Sequence, residues 1–337
     1  MIVTALLLGY AVLASRWLVG ALEGAAWTGR APRVAIAGWI CLAGSLLCAV
    51  VFAGIAPLVP LVLFPPGPTP FPAGPDRLLL GLRHGGGPPG QAMLVLGLLV
   101  SIAVTLRIVL GCAVAWYRAR RQRDQHEEIV RVVGRRLDGA GPAVVVVDHC
   151  DAAAYCLPGR GTRIVVTSAA LRTLTDGQLH AVLAHERAHL RGRHHLLATF
   201  AQALEALLPR LGAFATVRTE ILRLLELLAD DAAARTADRL DLAEAVFALA
   251  SAPRTTPLPA RMPGAALAAA QSAAAQRVKR LLTPRPPLGP GPTASALLAI
   301  AATALAPVAL LLGPALIAMC TAYCTSVSTL MDLLTNT

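Results

Sequence analysis

The residues with the clearest chemical potential are two histidines and a glutamate in the stretch Gln178-Leu-His-Ala-Val-Leu-Ala-His185-Glu186-Arg-Ala-His189-Leu-Arg191. The pattern is His-Glu-x-x-His. On a helix, side chains four apart share one face, so the imidazoles of His185 and His189 can close on a single ion. Imidazole nitrogen is a standard zinc ligand, and a catalytic zinc keeps one position open for water. Glu186, beside the first ligand, can take the proton from that water as it attacks a carbonyl. No side-chain nucleophile is then needed.

A third ligand is to be sought downstream, in Leu224-Leu-Glu226-Leu-Leu-Ala-Asp230-Asp231. Glu226 stands among leucines, where an unpaired carboxylate would be unfavourable and a bound zinc would remove the penalty. Asp230 is one helical turn on, on the same face, placed to accept the N–H of a ligand histidine and fix its orientation. The sequence therefore points to one Zn2+ per chain held by His185, His189 and Glu226, with Glu186 as base.

These residues need a scaffold. Thr175-Asp-Gly-Gln178 matches a capping box and places a helix start at about Asp176. Two β-branched runs upstream, Ala143–Asp148 and Arg163–Thr167, read as strands of a small sheet, with a loop holding Tyr155, Pro158 and Gly159 between them. A helix is expected at about Glu127–Leu137, ended by Gly139, Gly141 and Pro142. No residue is singled out as stabilising a tetrahedral oxyanion; Tyr155 is considered and not assigned. His149 and Cys150 with Cys156 have no common zinc spacing.

The composition around this polar island is different. Of 337 residues, 56% are hydrophobic and only 15% charged, against about 25% charged in ordinary soluble domains. Four stretches, about Ile2–Leu22, Val34–Phe64, Ala92–Tyr117 and Ala294–Cys324, reach the roughly 20 apolar residues that a bilayer crossing takes. The opening lacks the charged start and cleavage site of a signal peptide, so it is kept as a span. The formal net charge of +11 is almost all arginine. It is concentrated after the third stretch (Arg118, Arg120, Arg121, Arg123), before the fourth (Arg277, Lys279, Arg280, Arg285) and between the first two (Arg16, Arg30, Arg33). Positive residues are retained on the cytoplasmic side. That sets the N-terminus outside and the polar segment inside, and it explains the basic charge without a nucleic-acid partner. The expected layout is three spans with short loops over 1–117, a cytoplasmic domain over 118–251, a mobile Pro/Ala-rich linker over 252–293, a fourth span over 294–324 and a short external tail over 325–337.

The stretches Ile164-Val-Val-Thr-Ser-Ala-Ala-Leu171, Leu179–Arg191 and Glu226-x-x-x-Asp230, set between three apolar runs and a fourth, resemble the BlaR/MecR-type membrane metallopeptidases, the β-lactam sensor-transducer group. That resemblance implies a multi-pass α-helical membrane protein with four spans and a cytoplasmic α+β zincin domain of the mini-gluzincin kind. It also implies cleavage of a cytoplasmic protein, often a transcriptional repressor, in signal relay. Two features depart from the pattern. The best-known members carry a large extracellular sensor after the fourth span, whereas about thirteen residues follow Cys324 here, so β-lactam sensing does not carry over. The related heat-shock and CAAX-prenyl membrane proteases usually have an aspartate five residues after the second ligand; this chain has His194, which could hydrogen-bond near the site in its place. Two other functions stay open: a membrane quality-control metalloprotease with the same chemistry, and a non-catalytic zinc-binding receptor or scaffold. The partners expected are a protein substrate in the cytoplasm or at the membrane edge, and the lipid bilayer.

Overall fold

The computed structural model describes residues 2–59, 87–139, 143–159, 161, 163–209, 211–253 and 264–335. These form two compact units: Met1–Gly24, Ala37–Leu110 and Ala294–Thr337 make one, and Ala25–Ile36 with Gly111–Thr293 the other.

The first unit is helical because its sequence has little but apolar residues to place. Helix α1 covers Ile2–Glu23, with a π-helical turn at Ala14–Leu18. Helix α2 covers Pro32–Ile55 and tightens into a 3-10 turn at Ala56–Leu58. Helix α3 covers Gly87–Val133, and a C-terminal helix, numbered below, covers Pro290–Thr335. Small residues let α2 and α3 cross closely: a Cβ on Gly54 would overlap Ser101 Oγ and the Gly97 carbonyl, and Ser101 Oγ donates to Val51 O at 2.9 Å. Tyr10 hydroxyl meets Ser45 and donates to Thr303 O at 3.2 Å. Four helical segments, Ile2–Glu23, Pro32–Leu58, Val95–Val133 and Pro290–Ile317, are long and apolar enough to cross a membrane. Many large apolar side chains of the first, third and fourth segments, among them Leu96, Leu99, Val109, Leu110, Leu298 and Leu305, are exposed, whereas none is in Pro32–Leu58.

The second unit has a four-stranded sheet: β1 (Arg135–Arg136), β2 (Val144–Val147), β3 (Ala154–Leu157) and β4 (Arg163–Thr167). Spatial order is β1-β2-β4-β3, with β2 and β4 parallel and both outer pairs antiparallel. Five helices follow the sheet: α4 (Ser168–Thr173), α5 (Asp176–Arg191), α6 (His194–Leu207), α7 (Gly212–Ala233) and α8 (Arg239–Ser251). Then come α9 (Gly264–Leu282) and the C-terminal helix, α10. The sheet is covered on both faces. Val144, Ile164 and Val166 pack with Val182 and Leu183 of α5 and Ala245 of α8. Val145 and Val165 pack with Val130 of α3. Burial on both sides is why β2 and β4 read as unbroken β-branched runs.

Helix α5 starts as its sequence directs. Thr175 Oγ1 accepts from Gln178 N at 3.3 Å, and Gln178 Oε1 accepts from Thr175 N at 3.2 Å. Replacing Thr175 with alanine removes one bond of this box; the expected loss is about 1 kcal/mol of stability, measured by denaturant unfolding. An unchanged midpoint would mean that packing alone places α5.

Three expectations are corrected. The helix foreseen at Glu127–Leu137 is the end of α3, which runs on from the third apolar stretch because Arg, Gln and Glu between them favour helix; it stops at Val133, where Gly134 N bonds Val130 O at 2.9 Å. The stretch foreseen as a loop around Tyr155 is strand β3, paired with β4 through Ala154↔Val166 and Cys156↔Ile164. The linker foreseen over 252–293 contains α9, whose Leu281 is buried with Ala184 of α5 and Leu242 of α8; Ala-rich sequence is good helix former once its own Val278 and Leu281 find a surface. The prolines flanking this helix on its N-terminal side, such as Pro257, lie outside the described residues. Helix α10 continues past residue 324 to Thr335, with Pro307 and Pro314 inside it.

Candidate metal centre

Helices α5 and α7 pack side by side and bring the predicted residues together. His185 Nε2 and His189 Nε2 are 3.0 Å apart. Glu226 Oε2 lies 3.5 Å from His185 Nε2, and Glu226 Oε1 lies 3.5 Å from His189 Nε2. Three donors bound at 2.0–2.1 Å with tetrahedral angles would stand about 3.3 Å apart. Two imidazole nitrogens and one carboxylate oxygen at 3.0–3.5 Å fit that requirement.

The surroundings orient these three. His185 Nδ1 is 3.0 Å from Asp230 Oδ1, a salt-bridge distance, with the ring N–H off the line of a hydrogen bond. Asp230 is only 1% exposed. It accepts two hydrogen bonds from Arg277 of α9, Nε at 2.9 Å and Nη2 at 2.7 Å. The same guanidinium reaches Glu226 Oε2 through Nη1 at 2.9 Å. His194 Nδ1 stands 2.9 Å from His189 Nδ1, the ring edge-on to it. Arg193, between α5 and α6, takes a left-handed conformation (φ 49°, ψ 38°) to turn His194 back; an arginine there is strained, and such strain gathers at functional sites. Gly192 completes the turn, since a Cβ on it would overlap the His194 ring.

Glu186 is buried and points to β3. Cross-strand partners share a face, so Ala154 and Cys156 join Ile164 and Val166 on the α5 side of the sheet. Cys156 hydrogen-bonds Glu186 through its thiol and its backbone N–H. Tyr155 faces the other way, its hydroxyl 2.8 Å from His126 Nε2 on α3. The face away from the site is therefore its place. Residues Ala152–Cys156, α5, α7, α8 and α9 line an open cleft of about 490 Å³ that includes His185, Glu186, His189 and Glu226.

Electrostatics separate the carboxylates. Burial pushes Glu186 up to about 7, and Glu226 nearby adds to the rise. Burial, then the Glu186 charge, pushes the Cys156 thiol up to about 12, so it stays protonated. Burial opposes the charge of Glu226 and Asp230 as well, but His185 and Arg277 outweigh it and hold both at about 2. Burial lowers His189 to about 4; it also lowers His185, where Asp230 and Glu226 reverse the sign and lift it to about 9.

Residues 117–288, just over half the chain, match the model of peptidase family M48. The chain belongs to peptidase family M48. Membership makes it a metallopeptidase by family, and M48 metallopeptidases are typically zinc-dependent. The matched region runs past residue 251 through α9, in accord with the place of Arg277 at the centre. The match is to M48 and does not extend to the BlaR/MecR group. A search of curated proteins gave no match, nor did a search of solved structures.

Two residues of this M48 centre were not assigned a part from sequence. Arg277 counted only as a topology charge; the signal available was its place four residues before buried Leu281 in an Ala-rich helix. Cys156 was weighed with His149 and Cys150, a grouping the structure does not assemble. Cys156 lies against Glu186, while His149, Cys150 and Asp151 gather in a separate turn, where Asp151 N donates to His149 Nδ1 at 3.0 Å.

Proposed function

We propose that this chain is an integral-membrane zinc endopeptidase that cuts a cytoplasmic protein, or the cytoplasmic edge of a membrane protein. A transcriptional repressor cleaved in response to a signal is the first substrate class to test. The observation that carries the reading is the convergence of His185, His189 and Glu226, with donor atoms all within 4.8 Å of one another, beside a buried Glu186 in an open cleft.

His185, His189 and Glu226 would hold the zinc; when bound, it supplies a Lewis acid that polarises the scissile carbonyl. Glu186 takes the proton of the attacking water and hands it to the leaving amine nitrogen, which its burial between α5 and β3 equips it to do. Cys156 N–H and thiol fix the carboxylate in place. Strand β3 is one of the two outer strands of the sheet among the described residues and borders the cavity. An extended substrate can add to its free edge. Strand β4 offers no such edge, because it is paired on both sides. Arg277, Asp230 and His194 position the ligands.

Support for the membrane comes from the four apolar helices found among the described residues and from the exposed leucines and valines of three of them, which need a nonpolar surrounding. The arginine pattern supports a cytoplasmic peptidase unit.

Two measurements test the reading. Elemental analysis of the purified chain should find one zinc per molecule; no bound metal would sink it. Comparison of membrane and cytosolic proteomes in cells with wild type and with Glu186→Gln should then reveal a fragment lost in the variant. One uncut regulator would favour signalling, and many accumulating membrane proteins quality control. His194→Ala is expected to weaken zinc retention by about 10- to 100-fold, as loss of a partner to a ligand histidine does, with little change in the fold; competition against a chelator reads this directly. Unchanged retention would make the His189–His194 contact incidental.

A further inference from the structure

A second cavity, of about 620 Å³, lies within the peptidase unit along the flank of α5. Its walls differ in kind from those of the metal centre. Three arginines from separate elements line it: Arg33 from the first turn of α2, Arg191 from the end of α5 and Arg235 just after α7. None of the three makes an ion pair or side-chain hydrogen bond among the described residues. Leu197, Leu225 and Leu228 form an apolar side of the same space. The one acid in the wall, Asp231, is neutralised by Arg280 through two bonds of 2.7 and 2.8 Å. Arg33 and Val34 in the first turn of α2 also line the cavity, and their N–H groups have no partner within the helix.

Three uncommitted guanidinium groups around one concavity, next to leucines, fit a phosphate ester that carries an apolar chain. Guanidinium pairs with phosphate oxygens through two parallel hydrogen bonds, and the volume lies in the range of small-molecule pockets. Arginines that only mark topology, such as exposed Arg120 on α3, need not line one cavity. We propose that this cavity binds the phosphate group of an anionic phospholipid from the leaflet beside the peptidase unit. The assignment of the lipid as source rests on the membrane reading above, because Arg33 stands at the start of an apolar helix. His194 is part of the cavity wall and lies 2.9 Å from His189, so the bound headgroup would sit one side chain away from a candidate metal ligand.

The experiment uses the full chain in phosphatidylcholine nanodiscs, with phosphatidylglycerol as the added probe and native mass spectrometry as readout. Wild type should retain phosphatidylglycerol at about tenfold lower concentration than phosphatidylcholine. Arg191→Gln with Arg235→Gln should erase that preference, since two of the positive charges that repel the choline cation of phosphatidylcholine and favour a headgroup with net negative charge are gone. Both arginines are exposed, so the fold and the zinc content should not change; Arg239→Gln, an exposed charge outside the cavity, serves as the control and should keep the preference. Equal retention by wild type and the double variant would overturn the proposal, as would equal retention of the two lipids. Glycerol phosphate binding as tightly as the lipid, and lost in the same variant, would assign the arginines to a free phosphate ester and overturn the lipid source. An acidic peptide that binds where phosphatidylglycerol does not would overturn it in favour of a protein segment. Alkaline carbonate extraction runs alongside: release of the chain without detergent would remove the membrane reading, and glycerol phosphate would still judge the arginines.

Discussion

Glu186→Gln is expected to leave a folded, zinc-loaded protein that does not cut. The amide has the shape of the carboxylate, and its oxygen can still accept from Cys156, so the packing between α5 and β3 survives. It is not one of the three gathered donors, so metal content should stay at the wild-type level. What disappears is the ability to accept a proton from water, a contribution of about 10²- to 10⁴-fold in rate. Turnover of a candidate substrate is the first readout, and zinc stoichiometry the second. Full cleavage by the variant would remove Glu186 from the mechanism. Loss of metal along with activity would make the substitution uninformative about the base and show instead that Glu186 holds the site together; Glu186→Asp, which keeps the carboxylate but shortens its reach, would then show cleavage restored only if metal returns. Metal without turnover in the wild type, on every candidate, would favour the scaffold function.

The parts of this centre that sequence revealed are those encoded in local spacing. His185, Glu186 and His189 need only one helix, and Glu226 with Asp230 only another, so a helical repeat aligns each group before any tertiary contact is known. Thr175 and Gln178 are local in the same sense. Strands β2 and β4 were legible because burial on both faces demands β-branched residues throughout. Strand β3 was not: Ala154-Tyr-Cys-Leu157 is short, half-buried and followed by Pro158 and Gly159, so nothing but its pairing to β4 makes it a strand. Helix α9 was hidden by the prolines on both sides of it, which dominate the composition of 252–293, although its own residues are helix formers. The partnership of Arg277 with Asp230 spans 47 residues. No spacing rule reaches that far, and an arginine near an apolar run is more readily explained by topology.

Arg277 is accordingly the residue whose removal should be felt most in the fold. Asp230 is almost wholly buried, and two of its contacts, at 2.9 and 2.7 Å, come from this guanidinium. Arg277→Ala leaves that carboxylate with His185 as its main partner and Glu226 without its 2.9 Å cation. Breaking a buried pair from one side costs about 3–5 kcal/mol, whereas an exposed ion pair would be worth about 0–1 kcal/mol. The size of the effect thus decides between a site residue and a topology charge. For the peptidase unit the larger value corresponds to a fall in melting temperature on the order of 10 °C. Stability of the chelator-treated protein is the right measurement, because metal affinity receives opposing contributions: a cation is removed from beside the metal position, yet His185 and Glu226 lose their alignment. Arg277→Lys should recover only part of the loss, since a single ammonium cannot reproduce the fork that reaches both Asp230 oxygens and Glu226. Asp230→Asn in the Arg277→Ala background should recover part of it by a different route, by removing the stranded charge. A fall below about 1 kcal/mol for Arg277→Ala, with no rescue from Asp230→Asn, would return α9 to the role of a tether.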